Sequence, residues 1–343
     1  MQRSYGCTPV ESTSTNFQPT SLHLNENALG PSRAAQEASR CATTIHRYPT
    51  LHGQRLVDAL AQRHGISPAG VIVGAGSDAL LRLIAAAWLV FGDEVVMPAH
   101  PFIALPIAVC AAGGRPVRAS APSPCPSVDA LLAAVGPRTS MVMLSNPHNP
   151  TGTVLPRSEI ERLREGLPRD VVLVLDGAYA EYVQGDYTTG IGMPGTIAVG
   201  TFSKIYALAA LRVGWMAASP EIAARVRAIS PFYPISAVAE QTAIAALGDD
   251  AHVHRSATHA ARMRTWAART LRAIGLDVTP GAANFLMVRC ADLDQASRLQ
   301  HAAAAAGVQI ASCAGYALPS CLRITMGTHE EMRVLFNALQ RAR

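Results

Sequence analysis

Lysine is almost missing from this sequence. Of 29 basic residues one is a lysine, Lys204, and 28 are arginine. Guanidinium serves wherever only a surface cation is needed, but it stays protonated at any working pH and cannot act as a nucleophile. The single ε-amine lies between two apolar runs, TIAVG and IYALAAL, where a lysine is seldom placed without a task. Aromatic residues are also scarce, at 5%, and the net charge of +5 is spread without a dense basic run. That composition excludes a stacking platform for nucleic acid. No apolar run approaches the ~18 residues that a membrane helix needs. The opening MQRSYGCTPV lacks the apolar stretch of a signal peptide. The seven cysteines (Cys7, Cys41, Cys110, Cys125, Cys290, Cys313 and Cys321) include no C-x-x-C pair, and their number is odd. They read as free thiols of a cytoplasmic protein, with no metal site.

What is present is a globular α/β pattern. A chain of 343 residues, 49% hydrophobic and 15% charged, exceeds what one core usually supports, so two domains are expected. Residues 1–20, rich in Ser, Thr and Pro, read as a loose N-terminal arm. Seven short apolar runs follow: VIVGAG (71–76), EVVMPA (94–99), RPVRAS (115–120), SMVMLSNP (140–147), VVLVLDGAY (171–179), TIAVGTFSK (196–204) and RVGWMAAS (212–219). They are continuous rather than alternating, as strands buried on both faces should be. Helix-length segments such as SDALLRLIAAAWLV and RSEIERLREGL separate them. The expected architecture is a large domain over 46–250 with a seven-stranded, mostly parallel sheet. A smaller α+β domain is expected from 21–45 and 251–343, and AAAAA at 302–306 should be helix.

Four segments carry candidate chemistry. Gly74-Ala75-Gly76-Ser77-Asp78 ends a strand and opens a helix, where backbone N–H groups can cup an anion; Ser77 and Asp78 are equally compatible with ordinary helix capping. Asn146-Pro147-His148-Asn149-Pro150-Thr151-Gly152 forces a rigid turn after a strand. Asp176 closes a strongly apolar strand, at the edge where α/β sheets place ligands, and a buried carboxylate there needs a cationic partner. Thr201, Ser203 and Lys204 follow the next strand, with Arg212 beyond.

In this order the segments resemble fold-type-I pyridoxal-phosphate aminotransferases, and within them the histidinol-phosphate aminotransferase family. The resemblance runs from LHLNENALGP (22–31) through RYP (47–49), the NPHNPTG turn and TFSKIYALAALRVGW to LRITMGT (322–328). It implies that Lys204 links covalently to pyridoxal 5'-phosphate and later serves as proton base and acid. Asp176 should pair with the pyridine nitrogen and keep the ring an electron sink. Tyr179 and Asn149 should face the ring hydroxyl oxygen. The cofactor phosphate should rest on Gly76, Ser77, Asp78, Thr201, Ser203 and Arg212. Tyr48 matches a tyrosine lent to the neighbouring subunit of a homodimer. Arg323 matches the clamp for the substrate carboxylate, and Asn25 and Asn149 lie with it on the substrate side.

Three positions depart from the family pattern. His100, in PAHP, stands where the resemblance calls for an aromatic ring stacked on the cofactor, and an imidazole can stack. Gly177 replaces a frequent glutamate. Ala311, followed by Ser312, stands where the family has an arginine for the substrate phosphate. The expected activity is therefore transamination between an amino acid and a 2-oxo acid other than histidinol phosphate. Two alternatives stay open: a true histidinol-phosphate aminotransferase, and a biosynthetic enzyme using the same cofactor for decarboxylation, cyclisation or oxidation. A non-catalytic regulator fits poorly with the complete Lys-Asp-Tyr-Arg set.

Overall fold

A computed structural model describes residues 19–41 and 45–342; Cys7 and most of the N-terminal arm lie outside them. Twelve strands occur among the described residues: β1 (Thr20–Leu22), β2 (Val71–Gly74), β3 (Glu94–Pro98), β4 (Arg115–Ala119), β5 (Thr139–Ser145), β6 (Val172–Asp176), β7 (Thr196–Thr201), β8 (Gly214–Ala217), β9 (Asp277–Val278), β10 (Phe285–Arg289), β11 (Val308–Ser312) and β12 (Cys321–Thr325). They form two sheets, one for each expected domain.

The first sheet has seven strands in the order β2-β8-β7-β6-β5-β3-β4. Each of the seven apolar runs supplies one strand. Only β8 runs against its neighbours, β2 and β7; the other pairings are parallel. Every residue of β6 and β7 is buried, as continuous Val, Leu and Ile at the centre of a two-faced sheet requires. The edge strand β4 differs, with Arg115 and Arg118 exposed, because one flank has no neighbour. Parallel registry sets the carboxyl ends of β5, β6 and β7 side by side. Ser145 is level with Asp176, and Asp176 with Val199. That edge is where crossover loops leave room for a ligand.

Among the described residues four α-helices, Gln54–His64, Ser77–Trp88, Ala104–Ala111 and Arg157–Gly166, start without a side-chain cap, and the second of them bears on function. Ser127, Ser219, Ser236, Asp292 and Thr328 each accept a backbone N–H at the start of a helix. The helix Ser77–Trp88 has no such side-chain bond. Gly76 precedes it at φ +89°, ψ 163°. Its first N–H groups are thus not satisfied by a capping side chain.

The second sheet has the order β1-β11-β12-β10-β9. Here β1 is parallel to β11 and the remaining pairs are antiparallel. It closes its own core with the helices Leu293–Ala305 and His329–Arg341, and most of the alanine run lies in the first of these. The chain between the two sheets is shared. Strand β1 belongs to the second, whereas the helix Arg33–Arg40 packs on Ala237–Leu247 and buries Ala35 in the core of the first. No helix among the described residues is long and apolar enough to cross a membrane.

Candidate active site

A cavity of about 360 Å³ opens over the carboxyl edge of the large sheet and is walled on its far side by the small one. Asp176 forms its floor. The side chain is 2% exposed, and one oxygen accepts the Ala178 N–H at 3.1 Å. Burial raises its pKa to about 6, with the Ala178 N–H and Lys204 pulling the other way. Lys204 follows β7, and its Nζ donates to the Leu24 carbonyl at 2.8 Å. Burial lowers its pKa to about 8, Arg323 and Arg212 add to the effect, and Glu26 and Asp176 oppose it. An amine with that pKa exists in both protonation states near neutrality, which suits a nucleophile that also moves protons.

One corner of the cavity is an anion cradle. Ser77, Asp78, Thr201, Ser203 and Arg212 line it. Gly76 packs under the guanidinium so closely that a Cβ there would fall 2.5 Å from Arg212 Nη2. A Cβ on Gly214 would fall 2.5 Å from the Ser77 nitrogen. Both glycines are therefore needed to bring the uncapped helix start and the arginine to one point. Arg212 is held in the left-handed region at φ +52°, donating to the Ala209 carbonyl at 2.9 Å and Ser203 Oγ at 3.4 Å. Thr201 Oγ1 accepts the Ser203 N–H and donates to its hydroxyl, both at 3.1 Å. The Asp78 carboxylate is turned to Arg82 at 3.3 Å.

The opposite wall holds Arg323, 8% exposed on β12. Nη1 donates to Asn149 Oδ1 at 2.6 Å and to the Tyr316 hydroxyl at 3.2 Å, and Nη2 to the His23 carbonyl at 2.9 Å. Its buried Nε has no partner. A buried donor left over on a guanidinium costs free energy unless a ligand meets it. Asn149 is fixed in turn by its N–H, which donates to Ser145 Oγ at 3.1 Å. Between Arg323 and Asp176 stands Tyr179, with Asn25 Nδ2 donating to its hydroxyl at 2.8 Å. Burial pushes the phenol up to about 12, so it is a neutral donor at working pH.

Two expected residues lie elsewhere. His100 is not among the residues that line the cavity. Its Nδ1 is bonded to the Tyr316 carbonyl at 2.7 Å, which ties the imidazole to the small-sheet loop, and Phe102 takes the lining position. Tyr48 is 81% exposed and stacks on Tyr233 at 4.6 Å, outside the cavity of its own chain. Sequence reasoning also missed Leu24, Glu26 and Tyr316, which complete the wall. Phe102 had a signal, being the aromatic residue that follows β3; the Leu24 carbonyl, a backbone atom, had none. Among the described residues no cluster of side chains suits a metal ion.

The family model for aminotransferase class I and II matches residues 19–339. The chain belongs to that family. A histidinol-phosphate aminotransferase of Nitrobacter hamburgensis is 39% identical over 327 residues, covering 93% of this chain and 90% of the relative. The histidinol-phosphate aminotransferase of Sinorhizobium meliloti, solved in complex with pyridoxal-5'-phosphate, superposes with a TM-score of 0.89 at 30% identity, over 94% of this chain and 90% of that one. An aspartate aminotransferase of Thermus thermophilus shares the fold, with a TM-score of 0.83 at 23% identity, covering 95% and 92%. This aminotransferase is thus a pyridoxal-phosphate enzyme of fold type I. Its residues fit the cofactor: the Gly76 cradle leaves uncapped N–H groups for a phosphate, Asp176 keeps one carboxylate oxygen free of recorded protein bonds, and Lys204 supplies the one side-chain amine.

Proposed function

We propose that this aminotransferase moves an amino group between an α-amino acid and a 2-oxo acid that each present one carboxylate to Arg323. When bound, pyridoxal phosphate supplies a carbonyl that receives the amino group and a ring that delocalises charge. Lys204 holds it and then moves the proton at the substrate Cα, with its ε-amine kept near neutrality in pKa by burial. Asp176 keeps the ring nitrogen protonated, and Tyr179 and Asn149 face the ring hydroxyl. Ser77, Asp78, Thr201, Ser203 and Arg212 carry the phosphate, and Arg323 with Asn149 orients the substrate.

One observation carries the choice of substrate. The guanidiniums lining the cavity are Arg212, in the phosphate cradle, and Arg323. Directly across the antiparallel pair from Arg323 stands Ala311, which adds no second cation. A phosphomonoester in place of the α-carboxylate would bring nearly two charges to that one clamp. The second reading, histidinol phosphate, is favoured by the names of relatives 39% identical over 93% of the chain. The test compares kcat/KM for histidinol phosphate with that for a panel of free amino acids, reading the cofactor's absorbance. A kcat/KM for histidinol phosphate far below that for the preferred free amino acids supports the first reading. A clear preference for histidinol phosphate supports the second, and product carbon dioxide without pyridoxamine phosphate would refute both. We further infer a cytoplasmic homodimer in which the exposed Tyr48 reaches the partner's cavity; a fully active monomer in a solution mass measurement would refute it.

A further inference from the structure

A chain of hydrogen bonds with one direction ends at Tyr179. Thr325 Oγ1 accepts the Asn25 backbone N–H at 3.0 Å and donates its own proton to Asn25 Oδ1 at 3.1 Å. That second bond fixes which way the Asn25 amide faces. Its Nδ2 is turned to Tyr179 and donates to the phenol oxygen at 2.8 Å. The Asn25 carbonyl is taken as well, by Asn284 Nδ2 at 3.0 Å. The residue is 1% exposed and sits at φ +57°, a conformation in which asparagine is one of the few side chains tolerated. Its backbone groups, its Oδ1 and one Nδ2 hydrogen are committed to the protein. The phenol oxygen, already accepting from Nδ2, keeps its own proton for another acceptor. Among the described residues none is recorded, and Tyr179 lines the cavity.

We propose that Asn25, set by Thr325, is a positioning residue that aims the Tyr179 O–H into the cavity at the cofactor's ring hydroxyl oxygen. The inference rests on the reading that Tyr179 faces that oxygen. A donor there competes with the protonated lysine–cofactor link for the oxygen's negative charge. It therefore lowers the pH at which the link loses its proton. Arg323 shares β12 with Thr325, so the strand that clamps substrate also sets the tyrosine.

The test is a pH titration of the visible absorbance of the holoenzyme, with melting temperature recorded beside it. Tyr179→Phe should raise the midpoint by about one pH unit or more, the size expected for losing a hydrogen bond to a charged group. Asn25→Asp keeps shape and tolerates the left-handed backbone, but its carboxylate only accepts, so the phenol proton should turn to it. The midpoint should rise by a similar amount, and should not rise further when Asn25→Asp is added to Tyr179→Phe. Thr325→Val, which frees the amide to flip, should move it the same way by less. An Asn25→Asp midpoint equal to wild type, with only the melting temperature lowered, overturns the proposal. So does a shift of equal size with and without the tyrosine hydroxyl. If Asn25→Asp fails to fold, Thr325→Val decides by the same criteria. A Tyr179→Phe midpoint equal to wild type instead overturns the role given to the tyrosine itself.

Discussion

The cofactor end and the substrate end of the cavity are built in different ways. Ser145, Asp176 and Thr201 close three neighbouring strands of one sheet, so the cofactor end is placed by parallel registry that the core enforces anyway. The substrate end is assembled from far-apart stretches: His23 to Glu26, His100, Asn149, and Tyr316 with Arg323. It exists only when the small sheet docks on the large one. Chemistry at the first end should therefore be intolerant of change, while the second should be adjustable, losing affinity before it loses the reaction.

The largest effect should come from Lys204→Ala. Both the covalent link and the proton-moving amine are lost, so turnover should fall by several orders of magnitude. Borohydride should no longer fix the cofactor to the chain, since no other side-chain amine exists. Near-normal turnover would break the comparison at its root.

Asp176→Asn should cost about 100- to 1000-fold in kcat, the scale of losing one pre-organised charge next to the reacting system. The same change should stabilise the apoprotein. Burial raises the Asp176 pKa from 3.8 to about 6, so the native state holds the proton more tightly than the unfolded chain does. Wild-type stability should fall as pH rises from about 4 to 6, by up to about 3 kcal/mol. The asparagine variant has no such penalty. Its advantage in melting temperature should be full above pH ~6 and vanish below ~4. A variant less stable than wild type at neutral pH would show that the ionised carboxylate is already paired in the apoprotein.

Arg323→Lys tests the other end. A lysine cannot reproduce the fork that reaches Asn149, Tyr316 and His23. Loss of one charge-assisted contact, about 1.5–3 kcal/mol, should reduce kcat/KM by roughly 10- to 150-fold. The change should fall mainly on KM, with cofactor affinity unchanged. Equal losses in kcat and cofactor binding would mean that the two ends are not separable.

The same division governs what could be read from the sequence. The large sheet was legible because each strand is one apolar run, and its site residues follow within a turn of the strand end: Asp176 closes β6, and Thr201, Ser203 and Lys204 end or follow β7. The lone lysine added a chemical argument independent of pattern. Of the substrate wall, Arg323, Asn149 and Asn25 were named from the sequence, while Leu24, Glu26 and Tyr316 were not. Asn25 was read as a substrate contact and lines the cavity, but the bonds of its amide to Thr325 and Tyr179 were not visible in the sequence. The sharing of residues 20–40 between two cores was not visible either, because β1 and the helix Arg33–Arg40 choose their partners by contacts far along the chain. Such choices are tertiary, and neither periodicity nor spacing reports them.

The smallest effects should separate His100 from Phe102. Phe102 lines the cavity, so its ring is the aromatic surface available to the bound cofactor from the segment after β3. Phe102→Ala should weaken cofactor binding by roughly 2- to 12-fold, the worth of an aromatic pair beyond its area. His100→Ala removes the bond to the Tyr316 carbonyl and should leave cofactor affinity within about twofold. What it loosens is the loop that carries the Tyr316 hydroxyl to Arg323, so a modest rise in substrate KM is the expected trace. Cofactor affinity measured by equilibrium dialysis on both variants decides the matter. A His100→Ala loss equal to or larger than that of Phe102→Ala would restore the stacking role to the imidazole and move His100 back to the cofactor end.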